Sequence, residues 1–268
     1  MKINSIKLSS VIALSVILLY CCSSDCSDES PKNSIIKQHP LIIAYPETIR
    51  SVENNHVTFY NNTVLSYDDG KIKNFEQKLD NSSIKDMFSQ VYTPGVLRIP
   101  NKNEDPGRFR NHDFFNTMYG ETIKQIEKNL VTIIWMPGIS GKKLRVTKVN
   151  NVDKHLQNVS DKLILLSDSF HKYVNNPAGT YVYRKIAGTD RLSAHSYGIA
   201  IDINLDYSHY WRWDKHKDPD NIIFKNRIPE EIVKIFESEG FIWGGRWYHY
   251  DTMHFEYRPE LLTDKTNL

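Results

Sequence analysis

Ser193-Ala-His-Ser-Tyr-Gly-Ile-Ala-Ile-Asp-Ile-Asn204 is the stretch whose reading decides this chain. After Gly198, Ile199, Ile201 and Ile203 alternate with Ala200, Asp202 and Asn204. That is the period of a strand burying its isoleucines on one face and turning small and polar groups to the other. His195 lies seven residues before Asp202, an odd offset. On an unbroken strand the two would face opposite ways. A turn or bulge near Gly198 is therefore expected, where glycine permits the backbone.

Trp243-Gly-Gly-Arg-Trp-Tyr-His-Tyr-Asp-Thr-Met-His-Phe-Glu256 answers it downstream. His254 and Glu256 share one strand parity, while Met253, Phe255 and Tyr257 take the other. Asp251, three residues before His254, falls at the strand entrance. Zinc (Zn2+) accepts imidazole nitrogen and carboxylate oxygen, and a catalytic zinc keeps three protein ligands plus a water. His195, Asp202 and His254 are the expected ligands. Asp251 is the expected acid–base group, taking a proton from the water and passing it to a leaving amine. Singly, each residue has a plainer reading: a buried hydrogen-bonded histidine, a turn aspartate, and for Glu256 a solvated edge carboxylate. The joint pattern S-x-H-x-x-G-x-A-x-D followed by D-x-x-H-x-E is far more specific than any of its parts.

The rest of the chain is compatible with that site. The 268 residues are 40% hydrophobic and 25% charged, with a formal net charge of +2. This balance gives no electrostatic case for nucleic acid or an anionic membrane surface. Lys2 and Lys7 precede an apolar run from Val11 to Tyr20, too short for a comfortable span, so residues 1–26 read as an export signal. Cys21, Cys22 and Cys26 follow it directly, a placement that resembles the lipid-attachment site of bacterial lipoproteins, with Cys21 or Cys22 acylated. Residues 27–39 read as a polar tether. No cysteine occurs after Cys26, so a disulfide or thiolate ligand is excluded from the remainder. The expected location is the periplasm or cell envelope, with membrane contact only through an N-terminal lipid anchor. Nothing in the sequence fixes an oligomeric state.

Residues 40–268 are expected to form one domain, with its catalytic core at about 150–262. Leu41–Tyr45, Val57–Tyr60 and Val64–Tyr67 read as strands, and Asp68-Asp69-Gly70 as a turn. Short helices follow around Phe75–Phe88, broken at Asp80-Asn81-Ser82. Asp105-Pro-Gly-Arg-Phe-Arg110 reads first as a surface turn with solvated arginines, and second as a source of a structural or substrate-binding cation. His112–Leu130 looks helical, Val131–Trp135 and Leu144–Val149 strand-like, and Val152–Val174 is the clearest helical period. His155 and His171 on it read as solvated or capping. Thr180–Arg184 is β-prone, and Ile228–Gly240 is a compact helix with Pro229 in its first turn and Gly240 at its end. Among the tryptophans, Trp211, Trp213, Trp243 and Trp247 fit buried sheet aromatics better than a substrate groove.

Over residues 180–260 the two motifs resemble the zinc D,D-carboxypeptidases and dipeptidases and the L-alanyl-D-glutamate endolysins that cut bacterial cell-wall peptides, the VanY-like peptidoglycan metallopeptidases, here in an exported branch. The resemblance implies an α+β fold, shared with hedgehog domains, with helices packed on a small, mainly antiparallel sheet that carries the zinc. It places the zinc ligands on His195, Asp202 and His254 and the base on Asp251, where many members have Glu and the endolysin-like branch has Asp. An upstream Tyr-Arg pair supplies a substrate-orienting arginine in the family, and Tyr183-Arg184 resembles it, which implies that role for Arg184.

The implied function is hydrolysis of peptidoglycan stem peptides by a metal-activated water. D,D-carboxypeptidase and L-alanyl-D-glutamate-type endopeptidase action both remain open. The alternative is a non-catalytic, zinc-stabilised module that binds cell-wall peptides, against which the presence of Asp251 argues.

Overall fold

The described residues open with a helix where a short apolar run suggests a strand. In the computed structural model, which describes residues 38–263 except 96, 187–188, 190 and 215–220, Pro40–Ala44 forms α1. Pro40 supplies the preset φ of a first helical turn, and the His39 side chain accepts from Leu41 N–H at 3.2 Å. The expected strand at Leu41–Tyr45 is thus replaced by a capped helical turn. The export signal, the cysteines and nearly all of the tether lie outside the described residues. No described helix is long and apolar enough to cross a membrane.

Three small antiparallel sheets follow, giving a mixed architecture compatible with α+β. The first holds β1 (Ile49–Glu53), β2 (His56–Phe59) and β3 (Val64–Ser66) in sequence order. Asn54 and Asn55, both at positive φ, make the two-residue turn between β1 and β2. Helix α2 (Phe75–Asp80) starts in a reciprocal capping box between Asn74 and Gln77. After a loop through residue 110 come α3 (His112–Tyr119) and α4 (Ile123–Glu127). The sequence reads these as one helix. Gly120 at φ +113° ends the first, and Thr122 caps the second.

The second sheet is the hairpin of β4 (Leu130–Trp135) and β5 (Lys142–Thr147), with α5 (Val152–Ile164) against it. The long helix expected over Val152–Val174 stops at Ile164; Ser167 then opens the separate short α6 (Asp168–His171). His155 turns off α5 to meet Glu239 at 3.0 Å and stacks on Tyr257, so it is anchored rather than simply solvated.

The third sheet positions the site. It consists of β6 (Ala200–Asp202), β7 (Phe241–Trp243) and β8 (His254–Tyr257), with β8 in the centre. Helix α7 (Glu230–Ser238) covers it, and Phe236 stacks on Phe255 with ring centroids 3.8 Å apart. Ile199, Ile201 and Ile203 are fully buried, as their alternation requires. Trp243 is enclosed in the same core, whereas Trp213 is exposed.

Candidate metal centre

A short 3-10 turn, Ala194–Tyr197, delivers His195 to the sheet. Ser193 caps it by accepting from His195 N–H, and Gly198 leaves it at φ +69°. A side chain at 198 would meet Leu130 Cδ2 at 2.7 Å and Thr147 N at 3.1 Å, so glycine is required by space as well as by conformation. This turn resolves the odd offset between His195 and Asp202. Across the sheet, Asp202 on β6 is paired directly with His254 on the central strand.

The three groups converge. One ligand atom from each of His195, Asp202 and His254 lies within 4.8 Å of the others. Asp202 Oδ1 is 3.2 Å from His195 Nε2 and 3.0 Å from His254 Nδ1, and the two ring nitrogens are 3.2 Å apart. Both imidazoles are buried, while the Asp202 side chain is 25% exposed and opens into a cleft. Two nitrogens and one oxygen at this spacing suit a divalent cation that takes mixed N/O ligands, and they leave room for a fourth.

Partners behind the ligands fix which nitrogen faces inward. His195 Nδ1 donates to Thr180 O at 2.6 Å, which leaves Nε2 as the inward lone pair. His254 Nε2 faces Glu256 Oε2 at 3.4 Å, which leaves Nδ1 inward. Glu256 is fully buried in the central strand, not a solvated edge group. Arg110 grips it with two guanidinium nitrogens, one at 2.8 Å, and Arg258 adds a third contact at 3.3 Å. Arg258 in turn meets Glu260 at 2.5 Å, and Tyr45 donates to Glu260 from the end of α1. The N-terminal half thus braces the second histidine. The surface reading of Arg110 is overturned: a buried carboxylate needs a cation, and Arg110 supplies it. Arg108 likewise pairs with the buried Asp105, which also holds His249 Nδ1 at 2.6 Å.

The electrostatics follow from these contacts. Against the cost of burial, the His195 and His254 imidazoles hold Asp202 well below the carboxylate range. Burial also opposes charge on His254, yet its bonds to Asp202 and Glu256 and their charges raise it to about 10. Proton binding at the inner nitrogen would therefore compete with any cation held there. Glu256 stays well below its usual range despite burial, through the charge and hydrogen bonds of Arg110 and the bond to His254.

Asp251 sits apart from the three. Its N–H donates to Gly244 O at 3.0 Å and its carbonyl accepts from His254 N at 3.2 Å, but its Oδ1 is buried with no partner. Burial pushes its carboxyl up to about 7, opposed by His254 and reinforced by Asp202. Gly244 is held to glycine here: a Cβ would lie 2.5 Å from Asp251 O and 3.2 Å from Asp251 Cβ.

The same cleft is lined by His195, Asp202, Asp251 and His254 together with Tyr210, Trp211, Trp247 and five arginines, 108, 110, 184, 191 and 212. Trp211 and Trp247 are therefore cleft walls as well as packing residues. Thr180–Arg184 does not form the expected strand; bridges at Gly179 to Asp202 and at Lys185 to Leu192 flank it, and Thr180 O joins it to His195.

Residues 187–257, about a quarter of the chain, match the family model described as D-alanyl-D-alanine carboxypeptidase, of the M15 peptidases. That match supports a peptidase that works on peptidoglycan. It spans Asp202, Asp251 and both histidines and stops short of Arg184 and Arg110. Searches of curated proteins and of solved structures gave no match.

Proposed function

We propose that this chain is an exported zinc peptidase of peptidoglycan stem peptides, acting as a D,D-carboxypeptidase. The observation that carries the reading is the convergence of His195, Asp202 and His254 beside an aspartate whose buried oxygen has no partner. A site built only for stability has no use for that fourth group.

His195 Nε2, Asp202 Oδ1 and His254 Nδ1 would hold the ion. Zinc bound there supplies a Lewis acid that polarises the scissile carbonyl and lowers the pKa of a water from about 15.7 towards 7. Asp251 takes the proton from the attacking water and hands it to the amine nitrogen of the departing D-alanine. Its raised affinity for a proton suits both halves of that task. Trp211 and Trp247 wall the cleft. Arg184, a cation of the same cleft, pairs with the terminal carboxylate of the substrate, which favours carboxypeptidase over internal cleavage. Lipid anchoring through Cys21 or Cys22 would hold the enzyme beside the wall.

Mass analysis of purified muropeptides after incubation with the protein, with and without chelator, tests this reading. Loss of one alanine, abolished by chelation, is expected. Bound zinc with unchanged peptides would instead show a peptide-binding module.

A further inference from the structure

The arm that leads into His195 carries two arginines on one face. Ser193 N donates to Arg184 O at 3.0 Å and Ile186 N to Arg191 O at 2.8 Å, with Lys185 bridged to Leu192 between them. Alternation along this ladder puts Arg184, Ile186, Arg191 and Ser193 on the same side, and all four line the metal cleft. The arm is tied down on both strands. Leu192 N donates to His112 Nε2 at 3.0 Å, and Arg184 N donates to Ser196 Oγ at 2.9 Å.

These two cations are poorly matched by anions. Arg110 is committed to Glu256 and Arg108 to Asp105. Arg184 has no carboxylate partner among the described residues. Among the described residues Arg191 pairs with one carboxylate, Asp80 at 3.5 Å, which is itself 72% exposed. The Arg191 side chain is only 14% exposed, and its Nε is buried with no partner. Burial and the neighbouring Arg110 and Arg108 cations lower its proton affinity, with Asp80 offsetting only part. A guanidinium in that position gains more from an incoming carboxylate than one already paired.

We propose that Arg191 forms a second carboxylate subsite, which selects peptides bearing an acidic side chain two residues before the terminal carboxylate held by Arg184. The two arginines are diagonal same-face neighbours across the arm, about 7–8 Å apart, which is close to the spacing of residues i and i+2 in an extended peptide. Stem peptides whose third residue is a diamino dicarboxylic acid carry such a group; those with lysine there do not. This inference rests on the peptidase reading for the role of Arg184.

The test uses N-acetylated X-D-Ala-D-Ala tripeptides with X as Glu, Gln or Lys, and kcat/KM from D-alanine release. The wild-type protein is expected to prefer Glu over Gln by about 10–100-fold, the range of one charge-assisted hydrogen-bonded pair. In Arg191→Gln the ratio falls to near one, and Arg191→Lys, which keeps the charge without the fork, retains part of it. Equal use of Glu and Gln by the wild type, or an unaltered ratio in Arg191→Gln, overturns the subsite. If no peptide is cut, the peptidase reading fails separately. Calorimetric binding of the uncut Glu and Gln peptides then decides the subsite: tighter Glu binding lost in Arg191→Gln supports it, and equal binding refutes it.

Discussion

Arg110 and Glu256, 146 residues apart in sequence, meet in a two-pronged ion pair directly behind His254. The pair links a loop of the N-terminal half to the central strand of the metal-bearing sheet. It explains why the first half of the chain belongs to the site although none of the expected metal ligands lies in it.

Removing Arg110 leaves a buried carboxylate with only two longer contacts, to Arg258 at 3.3 Å and to His254 at 3.4 Å. Arg110→Ala is expected to cost about 3 kcal/mol of stability, since an uncompensated buried charge is the most expensive product of such a change. Urea unfolding of both proteins measures it. A loss below about 0.5 kcal/mol would mean that the pair acts as an ordinary surface ion pair.

Glu256→Gln keeps the shape behind His254 and removes the charge. Metal affinity is expected to fall 10–100-fold, the usual effect of losing a carboxylate that orients a ligating imidazole. Competition against a chromophoric chelator reads this directly, and unchanged affinity would remove Glu256 from the site.

Asp251→Asn is expected to bind metal as the wild type does and to lose about 10²–10⁴ in kcat, the range of general acid–base catalysis. Stem-peptide turnover and metal content, measured on one preparation, separate the two. Full turnover in this variant would require another base.

Gly244→Ala pushes a methyl group against Asp251 O at 2.5 Å and the Trp247 ring at 3.0 Å. A cost of about 1–3 kcal/mol is expected from overpacking. A drop in kcat should accompany it, because the displaced atoms belong to the proposed base. Wild-type melting and turnover together would show that the loop yields freely.

His39 gives a pH signature remote from the site. Burial lowers its pKa from 6.5 to about 4, so the unfolded chain binds this proton more readily than the folded one. Its contribution to stability is complete above pH 6.5 and declines as pH falls from 6.5 towards 4. His39→Asn preserves a side-chain cap for α1 without a titrating ring, and melting curves from pH 7 to 4 should fall less steeply in that variant.

The motif residues were legible because strand alternation and a forced turn at Gly198 restrict where His195, Asp202 and His254 point. Alternation failed at Glu256. It distinguishes two faces but does not reveal that β8 is the middle strand, covered on both sides. Nor does any local signal join Arg110 to Glu256; the one available clue was that a buried acid beside a ligating histidine demands a cation. The segment at Leu41 shows a second limit. A five-residue apolar run fits strand or helical turn equally by period, and His39-Pro40, a cap followed by a first-turn proline, was the deciding signal. In the same way Ser167 marked a new helix start inside the apparently continuous period of Val152–Val174.

The most direct measurement is D-alanine release from a stem pentapeptide while zinc is titrated into the chelator-stripped protein. The account predicts no release at the start, a linear return of activity that saturates at one zinc per chain, and no return in Asp202→Ala. Full activity in the stripped protein, or restoration of Asp202→Ala by the same single equivalent, would contradict it.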